Sequence, residues 1–124
     1  MKELTKAEEQ VMHFIWKSKK AFVKDIVAQF PDPSPAYTTV TTIIRILVKK
    51  GFIGYNTYGK VHEYYPLVEK GEYLGRHFKN VLKSYFNDNY SGFASFFTQQ
   101  NDISIEELEE IKKIIEEEIE SKKK

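Results

Sequence analysis

Apolar residues along the first third of the chain recur with helical spacing three times over, and the pattern then switches to alternation. Ala7, Val11, Phe14 and Ile15 fall at intervals of three and four, with Met12 and Trp16 widening the stripe. That period places them on one side of an α-helix. Thr5 with Glu8 three residues on is a capping-box pattern, and Lys17, Lys19 and Lys20 close the helix where its dipole favours cations. A second stripe, Val23, Ile26, Val27 and Phe30, runs into the sequence PDPSP, whose prolines cannot continue a helix.

The third segment is ambiguous. Every residue from Thr38 to Ile44 is Thr, Val or Ile, which local propensity reads as a strand. A strand would put Thr38, Val40, Thr42 and Ile44 on one face and Thr39, Thr41 and Ile43 on the other, and neither is cleanly apolar. Wound as a helix, Val40, Ile43, Ile44, Leu47 and Val48 form one stripe, while Thr38, Thr41, Thr42, Arg45 and Lys49 fall opposite. Ser34 and Pro35 suit an N-cap and first helical residue, and Gly51 a C-terminal stop. Seven β-branched residues cost about 0.5 kcal/mol each in a helix, so about 3 kcal/mol together. Burying each of the five aliphatic side chains returns about 1.5–3 kcal/mol, so the segment is predicted to be a helix.

After Gly51 the residues about 52–56 and 61–66 read as two strands around the turn Thr57-Tyr58-Gly59-Lys60. Three helices followed by a hairpin is the order of a winged helix, in which the third helix enters the major groove and the hairpin tip approaches the backbone or minor groove. The fold class is therefore mainly α with a small β-hairpin wing: a winged helix-turn-helix DNA-binding domain over residues 1–68 and a helical dimerisation region over 69–124. In the latter, a helix from Lys70 to Phe86 carries Tyr73, Leu74, His77, Phe78, Val81, Leu82, Tyr85 and Phe86. The sequence NDNYSG breaks it, and the short apolar piece with Phe93, Phe96 and Phe97 follows. A last helix opens with the capping pair Ser104 and Glu107 and bears Ile105, Leu108, Ile111, Ile115 and Ile119 on one side. These stripes are broader than one short chain can cover, which points to a two-fold partner; a monomeric helical cap is the alternative.

Charge sharpens the picture. Residues 1–66 hold ten Lys/Arg against six Asp/Glu, net +4, and residues 67–124 hold nine against twelve, net −3. A basic front half suits a polyanion. Between residues 36 and 60 stand Arg45, Lys49, Lys50 and Lys60 with no acid among them. Small hydroxyl side chains admit close approach to base edges, and Arg and Lys meet guanine or phosphate. Thr38, Thr41, Thr42 and Arg45 are expected to face bases. Thr39, Lys49, Lys50 and Lys60 are expected on phosphates, with Tyr58 at the hairpin tip and Lys24 reaching the backbone from the second helix. A winged-helix module that docks on protein is the competing reading.

The absence of cysteine excludes disulfides and thiolate metal sites. No apolar run of membrane-spanning length and no signal-peptide pattern occurs, so a cytoplasmic protein is expected. His13, His62 and His77 lie on different elements, and HEYYP at His62 lacks the second histidine of a zinc-protease motif. Neither a metal nor a cofactor is expected, and an enzyme is not; a small hydrolase built on His62 and Glu63 is the remote alternative.

The stretches LTKAEEQVMHFIW, YTTVTTIIRILVKKGFI and KVHEYYPLV resemble the opening helix, recognition helix and second wing strand of the penicillinase and methicillin-resistance repressor family. SGFASFF followed by ISIEELEEI is similar, more loosely, to that family's C-terminal dimerisation region. The resemblance implies a homodimer that binds an inverted repeat in double-stranded DNA and represses a β-lactamase-like gene. It also implies relief through a membrane-bound sensor protease that leads to cleavage of the repressor's C-terminal region. Two features depart from the pattern: many relatives carry Arg at the position of Ile46, and the Asn–Phe bond cleaved in relatives does not occur in FASFFTQQND. Copper-responsive members use C-terminal cysteines, which this chain lacks.

Overall fold

The computed structural model describes residues 3–100 and 102–124. It divides into two compact units, one up to His77 and one from Phe78 to Lys124.

The first unit begins with α1 (Lys6–Ser18), where the predicted capping box is complete. Glu8 N–H donates to Thr5 Oγ1 at 3.2 Å, and Thr5 N–H donates to Glu8 Oε1 at 3.0 Å. Next come β1 (Ala21–Phe22), α2 (Val23–Gln29), α3 (Tyr37–Lys49), β2 (Ile53–Tyr58) and β3 (Val61–Pro66). The strands form one antiparallel sheet in the order β1-β3-β2. The two-residue strand β1 was not legible in the sequence, because two residues carry no period. It pairs Ala21 with Tyr64 and Phe22 with Glu63, and so ties the entry of α2 to the hairpin. The hairpin closes through Gly59 and Lys60 alone. Gly59 has φ +63°, which suits the first position of a tight type II′ turn.

The segment from Tyr37 to Lys49 is a helix, as its burial pattern requires. Val40, Ile44 and Leu47 are fully buried, and Ile43 and Val48 are half-buried against the same core. Its start differs from expectation: the helix opens at Tyr37, and Ala36 stands at the N-cap with no side-chain bond. Ala36 itself is extended (φ −63°, ψ 148°), so the helix cannot begin before Tyr37 and Ser34 lies two positions too early to cap. The end is a Schellman motif. Gly51, at φ +82°, donates to Val48 O at 3.0 Å, and Phe52 donates to Leu47 O at 3.0 Å. Phe52 is then carried into the core with no exposed surface.

The helix α4 (Lys70–Phe86) runs across the division between units. Tyr73, placed by sequence on the dimerisation stripe, instead belongs to the first unit's core. Its ring lies edge-on to Phe52 at 5.7 Å, and its hydroxyl donates to Glu9 Oε2 and accepts from Leu4 N–H, both at 3.3 Å.

The second unit holds the rest of α4, then α5 (Tyr90–Thr98) and α6 (Ile105–Lys123). The break before α5 is shorter than NDNYSG: Asn87 and Asp88 turn the chain in left-handed conformation, and Asn89 caps α5 by accepting from Gly92 N–H at 2.9 Å. Asn and Asp tolerate that conformation better than most residues. Phe93 is the hub, with Phe78 at 4.8 Å, Phe86 at 5.6 Å and Phe97 at 5.8 Å between ring centroids. Leu82 is buried within the unit. The predicted Ser104–Glu107 capping box opens α6, and none of the residues of α6 is buried.

Candidate nucleic-acid interface

The candidate surface is built on the side of α3 turned away from the core. Residues at i, i+4, i+7 and i+11 share one face of a helix, and Thr38, Thr42, Arg45 and Lys49 stand at that spacing, all exposed. Thr39 is exposed on the flank. Thr42 Oγ1 donates to Thr38 O at 3.0 Å, and Thr41 Oγ1 donates to Tyr37 O at 2.9 Å. Each hydroxyl proton is thus committed to the helix backbone. What the two threonines offer outward is an acceptor oxygen and a methyl group. Ile46 adds an exposed aliphatic side chain beside Thr42.

Lys50 leaves the set. Its Nζ lies 2.6 Å from Glu8 Oε1, with the lysine side chain 19% and the glutamate 6% exposed. The C-cap position turns this side chain back onto α1, where it holds a carboxylate instead of reaching a phosphate. Burial raises the Glu8 pKa, but the bonds from Lys50 and Thr5 outweigh it and hold the carboxyl below the usual glutamate range. The pair fixes the C-terminal end of α3 to α1.

The wing supplies the other edge. Lys60 and Tyr58 are exposed at its tip, with the Tyr58 ring 6.4 Å from Phe22. Lys24 is exposed at the start of α2. Between α3, the start of α2 and the wing lies a groove of about 580 Å³. Lys24, Thr41, Arg45 and Lys60 all line it, so the structure brings together four residues that sequence scattered over 37 positions. The sequence reading missed its aromatic wall of Tyr37, Tyr55, His62 and Tyr64. The alternation within FIGYNTY and VHEYY was the signal for the last three. The Tyr55 ring lies tilted by 38° at 4.3 Å from His62, whose Nδ1 lies 3.0 Å from the Thr57 hydroxyl. Burial, aided by Tyr55 and Tyr37, holds the Tyr64 phenol above the usual tyrosine value, and Arg45 acts weakly the other way. The phenol therefore remains a proton donor at neutral pH.

In the second unit the predicted dimerisation residues separate into two groups. Leu82 is buried, while Val81, Phe86, Phe93, Leu108 and Ile111 are half-buried. Phe78, Tyr85, Phe96, Phe97 and Ile115 are exposed, as are Leu74 and His77 on the earlier turns of α4. Among the described residues no helix is long and apolar enough to cross a membrane, and no cluster of metal-ligating side chains occurs.

A profile of the penicillinase repressor family matches residues 4–117. The chain belongs to this family. It is 32% identical over 116 residues to the methicillin resistance regulatory protein MecI of Mammaliicoccus sciuri and of Staphylococcus aureus, covering 91% of this chain and 93% of those proteins. It is 25% identical over 116 residues to the penicillinase repressor of Bacillus licheniformis, covering 93% and 91%. Among solved structures, the DNA-binding domain of the repressor BlaI superposes on 59% of this chain and 94% of its own length, with a TM-score of 0.51 at 27% identity. The winged-helix architecture read from the order of stripes is thus shared with a penicillinase repressor family domain. The departure at Ile46 stands beside Arg45, which keeps a guanidinium on the exposed face of α3.

Proposed function

We propose that this protein is a transcriptional repressor of a resistance-type gene, binding an inverted-repeat operator as a homodimer through α3 and the wing. The observation that carries the reading is the outward face of α3. Thr38, Thr42, Arg45 and Lys49 project from one side of a helix whose other side is locked into the core, and no carboxylate lies among residues 36–60. Family membership and the likeness to the BlaI DNA-binding domain support it. Arg45 and Thr42 read base edges, with Ile46 and the threonine methyls suited to thymine methyl groups. Lys24, Thr39, Lys49, Lys60 and the Tyr58 hydroxyl hold phosphates and set the register. Lys50 acts from behind, by keeping α3 in place.

The exposed apolar residues of the second unit, Phe96, Phe97, Ile115 and Ile119 among them, form the dimer contact. Two linked modules bind far more tightly than one, so any event that separates them releases the operator. A membrane-bound sensor protease is the family's route to that event. With no Asn–Phe bond in this chain, a different bond would have to be cut.

The test is fluorescence anisotropy of the full chain on duplex DNA from upstream of its own gene, across a salt series. The reading predicts a straight, steep fall of log affinity against log salt, with a slope of about −0.9 for each phosphate neutralised. Binding that is insensitive to salt, or equal on unrelated duplex, overturns it.

A further inference from the structure

We infer that the groove between α3 and the wing is a binding site for a small planar aromatic carboxylate, and that its occupancy excludes DNA. The second half of this inference rests on the DNA-binding reading above; the first does not.

The volume is the first ground. About 580 Å³ falls within the range of small-molecule sites and far exceeds what one phosphate oxygen needs. The second ground is the lining. Three cations, Lys24, Arg45 and Lys60, line the groove, and among the described residues no carboxylate does. An anion is therefore the complementary charge. The third ground is the aromatic wall. Tyr37 on α3 is 57% exposed and Tyr55 on β2 is 45% exposed, so both rings line the groove with surface open to a ligand. Tyr64, which also lines the groove, keeps its phenolic proton. A duplex can take the hydroxyls of such walls for its phosphates but leaves the ring faces unused, because its bases are stacked and paired inside the helix. A free ring fits them. Offset or edge-on contacts to Tyr37 and Tyr55 satisfy the ring, and the Arg45 fork matches a carboxylate in two parallel bonds. Exclusion of DNA follows from shared residues. Arg45, Thr41, Lys24 and Lys60 line the groove and also belong to the proposed interface. An acid held by Arg45 removes the guanidinium from the base edge and places negative charge where phosphates must approach.

The probe is 2-naphthoate, titrated calorimetrically into the full chain without DNA. The inference predicts saturable 1:1 binding with a Kd of about 0.1 mM. Tyr55→Ala and Arg45→Gln, both at exposed positions, each weaken it by about tenfold. Cyclohexanecarboxylate, which keeps the charge without the ring, and 2-naphthamide, which keeps the ring without the charge, each bind at least about tenfold more weakly. Absence of saturable heat at about 5 mM, or binding unchanged by both variants, overturns the site. In a second arm, about 1 mM 2-naphthoate raises the apparent Kd for duplex by about tenfold, as competition requires. Duplex binding unchanged at saturating 2-naphthoate overturns the exclusion. A chain that takes 2-naphthoate but never binds duplex overturns the DNA-binding reading and leaves the ligand site supported.

Discussion

Glu8 shows how one residue links local structure to the candidate interface. Its carboxylate closes the N-terminal capping box of α1 and also receives the Lys50 ammonium, 42 positions away in sequence. Because its pKa is depressed in the folded state, its stabilisation is complete above the unfolded value and is lost as pH falls through the folded one. Glu8→Gln should therefore cost about 2–4 kcal/mol at neutral pH and flatten the acid limb of the stability curve below the usual glutamate range. Urea unfolding of both proteins across pH checks this; a variant with an unchanged acid limb would mean the pair contributes nothing. The capping box was legible, because Thr-x-x-Glu lies within one turn. The ion pair was not, because its two partners lie 42 positions apart. Lys50 keeps helical backbone angles, so the period carries it onto the side of Ile43 and Leu47 while Lys49 falls opposite.

At the scale of elements, α3 shows tertiary burial overriding propensity. Seven consecutive β-branched residues form a helix because Val40, Ile44 and Leu47 reach the core only with helical spacing. Stripe, stop and hairpin were all readable from spacing and glycine. The helix start was misplaced by two residues, since Ser34-Pro35 satisfies the local rule for a start and the extended proline segment defeats it. Strand β1 and the aromatic wall were not foreseen as a unit, since sheet pairing alone brings Phe22 beside the wing. The hairpin tip depends on Gly59, whose φ of +63° an L side chain adopts at a cost of about 1–2 kcal/mol. Gly59→Val should distort the tip and weaken duplex binding severalfold, while the thermal midpoint moves by only a few degrees. Affinity equal to that of the unsubstituted chain would remove the wing tip from the interface.

For the whole molecule, the proposed binding to an inverted repeat requires two copies. In α6, Ile105, Ile114, Ile115 and Ile119 are between 48% and 72% exposed, and only Leu108 and Ile111 are half-buried. A stripe of this kind was evident from its period, although the sequence did not reveal that Tyr73 and Leu82 face inward. Substituting Ile115→Lys and Ile119→Lys together in the full chain should shift sedimentation from dimer to monomer and lower operator affinity by about a hundredfold or more, by loss of linkage between half-sites. A variant that stays dimeric places the contact elsewhere.

In the proposed complex the outward face of α3 lies against DNA. Amide and methyl NMR shifts of the full chain, followed as duplex from upstream of its own gene is added, report that contact residue by residue. The largest changes are predicted at Thr38, Thr42, Arg45, Ile46 and Lys49, with a second cluster at Tyr58 and Lys60. Changes confined to the stripe of α6, or no change along α3 while the duplex is bound, would contradict it.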